Sequence, residues 1–194
     1  MIITELIASI FSLLSVWLST KGNILCWPFG IIGILAYIFI FKDQEATSNM
    51  VLQSFFVIQS IYGWITWKKE STKKISLFNE ELSSVKYLML IRDLVVFCFL
   101  WYFLSFLSGG KDPIFDGITT GLTTMAMIFL AEKKIESWLF WIVADVLYIP
   151  FFIIGGHYIS AITYCIFLGL ATFGFMNWVK IYRNEIQREH QPLS

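Results

Sequence analysis

Seven long hydrophobic segments constrain the fold of this chain more than any other feature of its sequence. Each is close to the ~20 residues that an α-helix needs to cross a bilayer. Hydrophobic residues make up 57% of the 194 residues and charged residues 14%, a balance that a soluble domain does not need. We therefore predict an all-α integral membrane protein whose transmembrane helices are Ile3–Thr20, Ile24–Phe41, Asn49–Trp67, Tyr87–Leu107, Ile114–Ala131, Ser137–Ile154 and Tyr158–Ile181.

Lysine and arginine residues lie almost entirely on one side of these segments. With the N-terminus outside, the outer side carries two of them, Lys42 and Lys111, and the inner side carries twelve. Positive charge is typical of cytoplasmic loops. We therefore expect a protein of the cell (inner) membrane with its N-terminus outside and its C-terminus cytoplasmic. The twelve inner residues are Lys21, Lys68, Lys69, Lys73, Lys74, Lys86, Arg92, Lys133, Lys134, Lys180, Arg183 and Arg188.

A gapless internal repeat relates the first three segments to the last three, in a single register that aligns Trp27 with Trp138. Moving on by four helices preserves chain direction, so the repeats are parallel, in a three-plus-one-plus-three arrangement. Transporters with repeats of this kind carry substrate at the repeat interface, near the bilayer midplane. The predicted units are a first bundle, 1–67, a cytoplasmic loop with linker helix four, 68–113, a second bundle, 114–181, and a polar, frayed cytoplasmic tail, 182–194. The other matching pairs are Tyr37 with Tyr148, Phe41 with Phe152, Phe56 with Phe167, Gly63 with Gly174 and Trp67 with Trp178.

The sixth segment carries an aromatic stripe with one carboxylate in its middle. Trp138, Trp141, Asp145, Tyr148 and Phe152 follow one another at steps of three, four, three and four, which places them on one helix face. An ionisable group inside a membrane helix is costly and indicates a functional site. The rings offer flat faces for stacking a heteroaromatic ring or for a cation–π contact. The alternative is that these aromatic residues face lipid or the membrane interface.

The third and seventh segments present a second, matching face. Gln53, Phe56 and Ser60 share a face of helix three, Gln59 lies one step away, and Tyr164 lies on the matching face of helix seven. Amides buried in lipid need partners, which a ligand with ring nitrogens or a neighbouring helix can supply. The candidate substrate-binding residues are thus Trp27, Gln53, Phe56, Gln59, Ser60, Trp138, Trp141, Asp145, Tyr148 and Tyr164.

Two further acids, Glu5 and Asp116, match each other in the repeat and lie at the predicted outer ends of helices one and five. Together they could give the mouth of a pathway a negative field that attracts a cation. The alternative is a pair of solvated carboxylates at the membrane interface.

Several classes of protein lack support in the sequence. Zero formal net charge gives no electrostatic basis for binding nucleic acid. Three cysteines without a C-x-x-C pair and two histidines without ligand spacing predict no metal site, and we expect no cofactor. An intramembrane enzyme would need paired carboxylates or a nucleophile with a base, which we do not find. A structural membrane protein would leave Asp145 and Gln53 without a reason to be there.

These motifs resemble the Pnu vitamin transporter family over nearly the whole chain. The first repeat contains L-Q-S-F-F at 52–56 and Y-G-W-I-T-W at 62–67, and the second contains E-S-W-L-F-W at 136–141 with Gly174 and Trp178 later. The resemblance implies a fold similar to the SWEET sugar transporters, a homotrimer in some members, and facilitated diffusion of a water-soluble vitamin: nicotinamide riboside, thiamine or riboflavin.

The chain departs from the nicotinamide riboside branch of that family at two positions. That branch tends to have asparagine where this chain has Asp145, and a polar amide near Gly33. Thiamine carries a fixed positive charge and an aminopyrimidine that suits a carboxylate. We therefore expect a thiamine uniporter, with nicotinamide riboside or riboflavin as the alternatives.

Overall fold

The computed structural model describes residues 2–43, 47–69, 74–77 and 84–189, and within these ranges the regular structure is helical. The one β-type contact there is an isolated bridge between Ser76 and Lys134. Four helices, α4 to α7, are long and apolar enough by their own composition to cross a membrane. The all-α membrane fold is thereby confirmed. The helices are α1 (Ile2–Thr20), α2 (Cys26–Asp43), α3 (Thr47–Lys69), α4 (Ser84–Leu107), α5 (Pro113–Ala131), α6 (Ser137–Ile154) and α7 (Tyr158–Glu189).

The helix boundaries reproduce the internal repeat in the register that the sequence predicts. Helices α1 and α5 begin and end at matching positions, as do α2 and α6, and α3 and α7 begin at matching positions. Helix α7 differs from the sequence prediction, because it continues past Ile181 to Glu189 instead of ending in a frayed tail. Residues 190–194 of that predicted tail lie outside the described residues.

Six helices form a closed ring. Each packs on two neighbours, in the order α1, α2, α3, α5, α6, α7 and back to α1, while α4 packs on the outside of α5. The two bundles, α1–α3 and α5–α7, therefore meet at two places, where α3 contacts α5 and where α7 contacts α1. Under the repeat these two contacts are equivalent.

One end of the ring is called the lysine-rich end here. Helices α1, α3 and α5 finish there, α7 passes through it, and Lys21, Lys68, Lys133 and Lys180 lie there. Indole groups tie the two bundles together at this end. Trp67 Nε1 donates to the carbonyl oxygens of Leu130 and Ala131 on α5, at 3.1 and 3.0 Å.

The second bundle makes the matching contact to the first. Trp178 Nε1 donates to the carbonyl oxygen of Ser19 on α1 at 3.1 Å, and Ser19 is the repeat counterpart of Leu130. Carbonyls at the C-terminal end of a helix lack the usual donor four residues further on. The carbonyls of Leu130 and Ser19 also accept from the amides of Lys133 and Gly22, at 3.0 and 2.9 Å, so the indoles give them a second donor and join the two bundles.

Candidate substrate site

A cavity of about 310 Å³ lies inside the ring. All six ring helices line it nearly evenly, whereas the candidate residues named from the sequence come from α2, α3, α6 and α7 alone. The lining residues are Ser12, Ser15, Val16 and Ser19 from α1, Cys26, Trp27, Gly30 and Ile34 from α2, Leu52, Gln53, Phe56 and Ser60 from α3, Thr120, Thr123, Met127 and Leu130 from α5, Trp138, Trp141, Asp145 and Tyr148 from α6, and Tyr164, Phe167 and Ala171 from α7.

A cluster of four tryptophans closes the cavity toward the lysine-rich end. Trp27 meets Trp67 edge to face with ring centroids 5.5 Å apart, and Trp138 meets Trp178 in the same way at 5.5 Å. Trp67 and Trp178 join the two pairs at 6.3 Å. All four rings are at most 3% exposed. This four-tryptophan cluster contains two pairs that are equivalent in the repeat, one from each bundle.

Glycines set the position of the two cluster rings that face the cavity. A Cβ atom on Gly63 would overlap the ring of Trp27, and one on Gly174 would stand 2.7 Å from the ring of Trp138. Real Cβ atoms do not approach other atoms so closely. Each indole therefore packs flat on helix backbone that only glycine leaves uncovered.

Asp145 is the acid of the cavity and lies near the middle of α6. It is 4% exposed. Within the described part of the chain no lysine, arginine or histidine pairs with it, and no side chain donates a hydrogen bond to it. An ionised carboxylate at this depth is expensive unless a cation or several donors compensate it. The site is therefore suited to a ligand that brings a positive charge or hydrogen-bond donors.

An aromatic group lies beside Asp145 on the side away from the four-tryptophan cluster. Tyr148 and Tyr164 are 4.5 Å apart, and Phe152 stacks on both, at 5.8 and 5.2 Å. Phe115 of α5 meets Tyr148 edge to face at 5.5 Å. A planar ligand in the cavity would thus have aromatic faces at both of its ends.

The side chains that line the cavity differ between the two bundles at positions that the repeat makes equivalent. At matching positions of the repeat, Asp145 corresponds to Ile34, Trp141 to Gly30 and Tyr164 to Gln53. The second bundle supplies the carboxylate and most of the aromatic surface, while the first supplies an amide and small or aliphatic groups. The lining is therefore chemically asymmetric, although the helices of the two bundles have matching boundaries.

The structure brings together nine of the ten candidate binding residues, all of which line this one cavity. The exception is Gln59, whose Nε2 donates to the carbonyl oxygen of Thr124 at 3.3 Å across the α3–α5 contact. Its amide therefore serves helix packing, the alternative left open above. That the other nine bind substrate stays a prediction. The nine are Trp27, Gln53, Phe56, Ser60, Trp138, Trp141, Asp145, Tyr148 and Tyr164.

Of the two acids proposed for the mouth, Asp116 is described by the structure and does not line the cavity. Asp116 Oδ2 accepts a hydrogen bond from Ser105 Oγ of α4 at 2.6 Å, so this carboxylate helps to fix α4 on α5. Glu5 lies in α1, but its side chain is outside the described residues. Their role at a mouth stays a prediction.

A wall of hydroxyl groups on α1 and α5 was not among the residues predicted from the sequence. Ser12, Ser15 and Ser19 follow each other at steps of three and four, as residues on one helix face do. Thr120 and Thr123 line the opposite wall. The serine spacing was visible in the sequence, but serine is common in membrane helices as a backbone hydrogen-bond donor. Ser15 Oγ indeed donates to the carbonyl oxygen of Cys26 at 2.7 Å.

A closed ring of helices around a central cavity, built from two parallel repeats, is typical of a membrane transporter. Comparison with known families agrees. The family model described as nicotinamide mononucleotide transporter matches residues 2–180. The chain therefore belongs to the nicotinamide mononucleotide transporter family, the Pnu family, whose members are vitamin transporters.

Named relatives extend over nearly the whole chain. It is 24% identical to the nicotinamide riboside transporter PnuC of Escherichia coli, over 95% of this chain and 88% of the relative. It is 27% identical to the nicotinamide riboside transporter PnuC of Haemophilus influenzae, over 92% and 80%. It is 21% identical to the riboflavin/roseoflavin transporter RibM of Streptomyces davaonensis, over 90% and 84%.

A solved structure supports the fold. The crystal structure of the vitamin B3 transporter PnuC superposes with a TM-score of 0.73, at 20% identity, over 93% of this chain and 82% of that chain. At this sequence identity the structural similarity establishes how the helices are arranged, but it does not establish which ligand this chain binds. These comparisons give the thiamine assignment no support, and the named relatives favour its alternatives.

Proposed function

We propose that this protein takes up nicotinamide riboside across the inner membrane and binds it in the central cavity. The observation that carries a cationic vitamin as the substrate is the buried carboxylate of Asp145 between aromatic rings, and the similarity to nicotinamide riboside transporters favours nicotinamide riboside over thiamine. Nicotinamide riboside has a positively charged pyridinium ring, a carboxamide and ribose hydroxyls. The ring would stack on Trp141 or Tyr148 with its charge balanced by Asp145, and the amide of Gln53 and the hydroxyl wall would meet the polar groups.

Thiamine is the second candidate, and Asp145 is again the reason. Its aminopyrimidine can donate to a carboxylate, and its thiazolium ring is cationic. Riboflavin, which the name of one relative suggests, is neutral at its flavin and would leave Asp145 without a counter-charge. The buried carboxylate therefore favours a cationic vitamin over a flavin.

We place the lysine-rich end in the cytoplasm, because basic residues concentrate there. The N-terminus is then outside and the C-terminus inside. The homotrimer implied by the family resemblance also stays a proposal. Much of α4 is apolar and exposed, as lipid or a neighbouring copy would require, and native mass spectrometry would determine the number of subunits.

We predict uncoupled transport. A proton-coupled carrier needs a membrane-embedded acid that changes protonation in each cycle, and a cationic ligand would instead keep Asp145 ionised by pairing with it. Proteoliposomes holding purified protein should therefore equilibrate labelled nicotinamide riboside, at a rate that an imposed sodium or proton gradient leaves unchanged.

Empty liposomes serve as the control for leakage. Accumulation above the external concentration, driven by either ion gradient, would contradict uncoupled transport. Entry no faster than into empty liposomes would contradict nicotinamide riboside as the substrate, and the same assay with thiamine would then test the second candidate.

A further inference from the structure

A short segment after α3, residues 74–77, lies across the lysine-rich end and is called the strap here. The Ser76 amide donates to the carbonyl oxygen of Lys133 at 3.1 Å, and the Ile135 amide donates to the carbonyl oxygen of Ser76 at 3.0 Å. Lys134 Nζ also reaches the carbonyl oxygen of Leu77 at 3.4 Å. These bonds attach a segment that follows the first bundle to the α5–α6 turn of the second.

The strap also contributes an apolar plug. The side chain of Ile75 is 9% exposed and belongs to the same core as the four-tryptophan cluster and Ile135. Ile75 Cδ1 lies 3.9 Å from the place where a Cβ atom on Gly22 would stand. Ile75 therefore packs beneath the cluster, between the α1–α2 turn of one bundle and the α5–α6 turn of the other.

The strap is the feature that makes the two bundles differ at this end. In the α5–α6 turn, Lys133 adopts φ 58°, a conformation that side-chain-bearing residues adopt rarely. The matching residue of the α1–α2 turn is Gly22, with φ 65°. The strained Lys133 is the residue whose carbonyl holds the strap, and its Nζ lies 5.3 Å from the ring centroid of Trp67. Residues 74–77 lie against the second bundle, whereas α7, the counterpart of α3, continues as a helix to Glu189.

We infer that the strap is a releasable closure of the cytoplasmic exit, which must leave the α5–α6 turn before a ligand can pass from the cavity to the cytoplasm. The inference rests on the proposed function, which identifies this cavity as the transport site. The strap is a short segment held at the α5–α6 turn by hydrogen bonds of Ser76 and Leu77 and by the packing of Ile75, and local contacts of this kind can open without unfolding the helices. The strap joins the two bundles, so their separation at this end requires its release.

Native Cys26 is a suitable reporter of that release. It lines the cavity beside Trp27 and is 2% exposed. With Cys98→Ala and Cys165→Ala as the background, a membrane-impermeant thiol reagent applied from the cytoplasmic face can reach Cys26 only when this end opens. The readout requires no vitamin, so its failure is distinguishable from the failure of the proposed substrate.

Loosening the strap should accelerate this labelling. Ser76→Pro removes the amide that donates to Lys133, and Ile75→Ala shortens the plug. Each should raise the cytoplasmic-face labelling rate of Cys26 roughly tenfold, as a shift of about 1.4 kcal/mol in the opening equilibrium would produce. Ile65→Ala removes the same atoms from an exposed position on α3 and should leave the rate unchanged. Parent-like rates in both strap variants, or an equal rise from both membrane faces, would overturn the inference.

A locked strap gives a second test, in which the same variant before and after cross-linking serves as its own control. Gly22→Cys and Ile75→Cys, in a protein without the native cysteines, place two thiols where Ile75 packs on the α1–α2 turn. A short, reducible bifunctional reagent should stop uptake into proteoliposomes, and reduction should restore it. Uptake that continues through the cross-linked protein would show that the strap need not move.

Discussion

Asp145→Asn should weaken binding of nicotinamide riboside by about ten- to a hundredfold. Hydrogen bonds and contacts to a charged partner contribute roughly 1.5–3 kcal/mol, and every 1.4 kcal/mol corresponds to a factor of ten in affinity. Asp145 is buried in the cavity, and no basic residue within the described ranges pairs with it, so we expect the ligand to supply the compensating charge. Asp145→Ala should weaken binding further, because it also leaves a gap beside the ligand. Titration calorimetry on purified protein measures both effects.

The matched control for this experiment is Asp93→Asn. Asp93 lies on α4, exposed and paired with Arg92 at 2.7 Å, and makes no contribution to the cavity lining. The variant makes the same change of carboxylate to amide and should leave the affinity within about twofold of the parent. Equal affinity of the parent and Asp145→Asn would show that the carboxylate is structural, and the assignment of Asp145 to the substrate would fail.

Gly174→Ala should lower both stability and ligand affinity. The added Cβ atom would stand 2.7 Å from the ring of Trp138, so the ring or the helix must shift. Overpacking of this kind costs about 1–3 kcal/mol, which corresponds to several degrees in the apparent Tm. Trp138 lines the cavity, and displacing its ring should weaken binding roughly tenfold or more. Thermal unfolding in detergent and calorimetry measure the two effects.

The same helix provides the control. A Cβ atom on Gly169 would meet no heavy atom within 4 Å, so Gly169→Ala adds the same methyl group without a clash. It should leave binding unchanged and raise stability by up to about 1 kcal/mol, because alanine favours the helix over glycine. Similar losses in both variants would show that the packing of Trp138 on Gly174 is not tight.

The internal repeat is the part of the fold that sequence predicts best. Its single unbroken register fixes which helices are equivalent, and the matching boundaries of α1 with α5 and of α2 with α6 follow from it. The repeat also makes the contact of Trp27 with Gly63 equivalent to that of Trp138 with Gly174, although the contact itself is seen only in the structure. The hydrophobic pattern and the helical period of the individual segments were sufficient to predict the helices and their register in the repeat.

The repeat did not predict that α1 and α5 line the cavity as extensively as the other ring helices. Helix α1 carries no conspicuous charge or aromatic stripe toward the cavity, and its serines are as typical of helix packing as of a binding wall. Gln59 shows the same ambiguity in reverse, because an amide on α3 can face either the cavity or Thr124. A one-residue step around a helix rotates a side chain by about 100°, and only the packing of neighbouring helices decides where it points.

Neither the repeat nor the helical pattern predicts which vitamin the protein binds. The positions that differ between the bundles, Ile34 against Asp145 and Gly30 against Trp141, decide ligand chemistry, yet each is a single substitution on a shared scaffold. Nicotinamide riboside and thiamine are both cationic and aromatic, so one carboxylate between rings suits either. The sequence therefore predicts a cationic vitamin more firmly than it predicts which one.

Calorimetric titration of the purified parent protein with nicotinamide riboside, thiamine and riboflavin tests the central claim most directly. The account predicts that nicotinamide riboside binds tightly at one site per chain, that thiamine binds more weakly, and that riboflavin binds least. Tighter binding of thiamine would support the cavity and Asp145 as the binding site but would contradict nicotinamide riboside as the substrate. Binding of riboflavin alone, or of none of the three, would contradict the claim that the cavity around Asp145 selects a cationic vitamin.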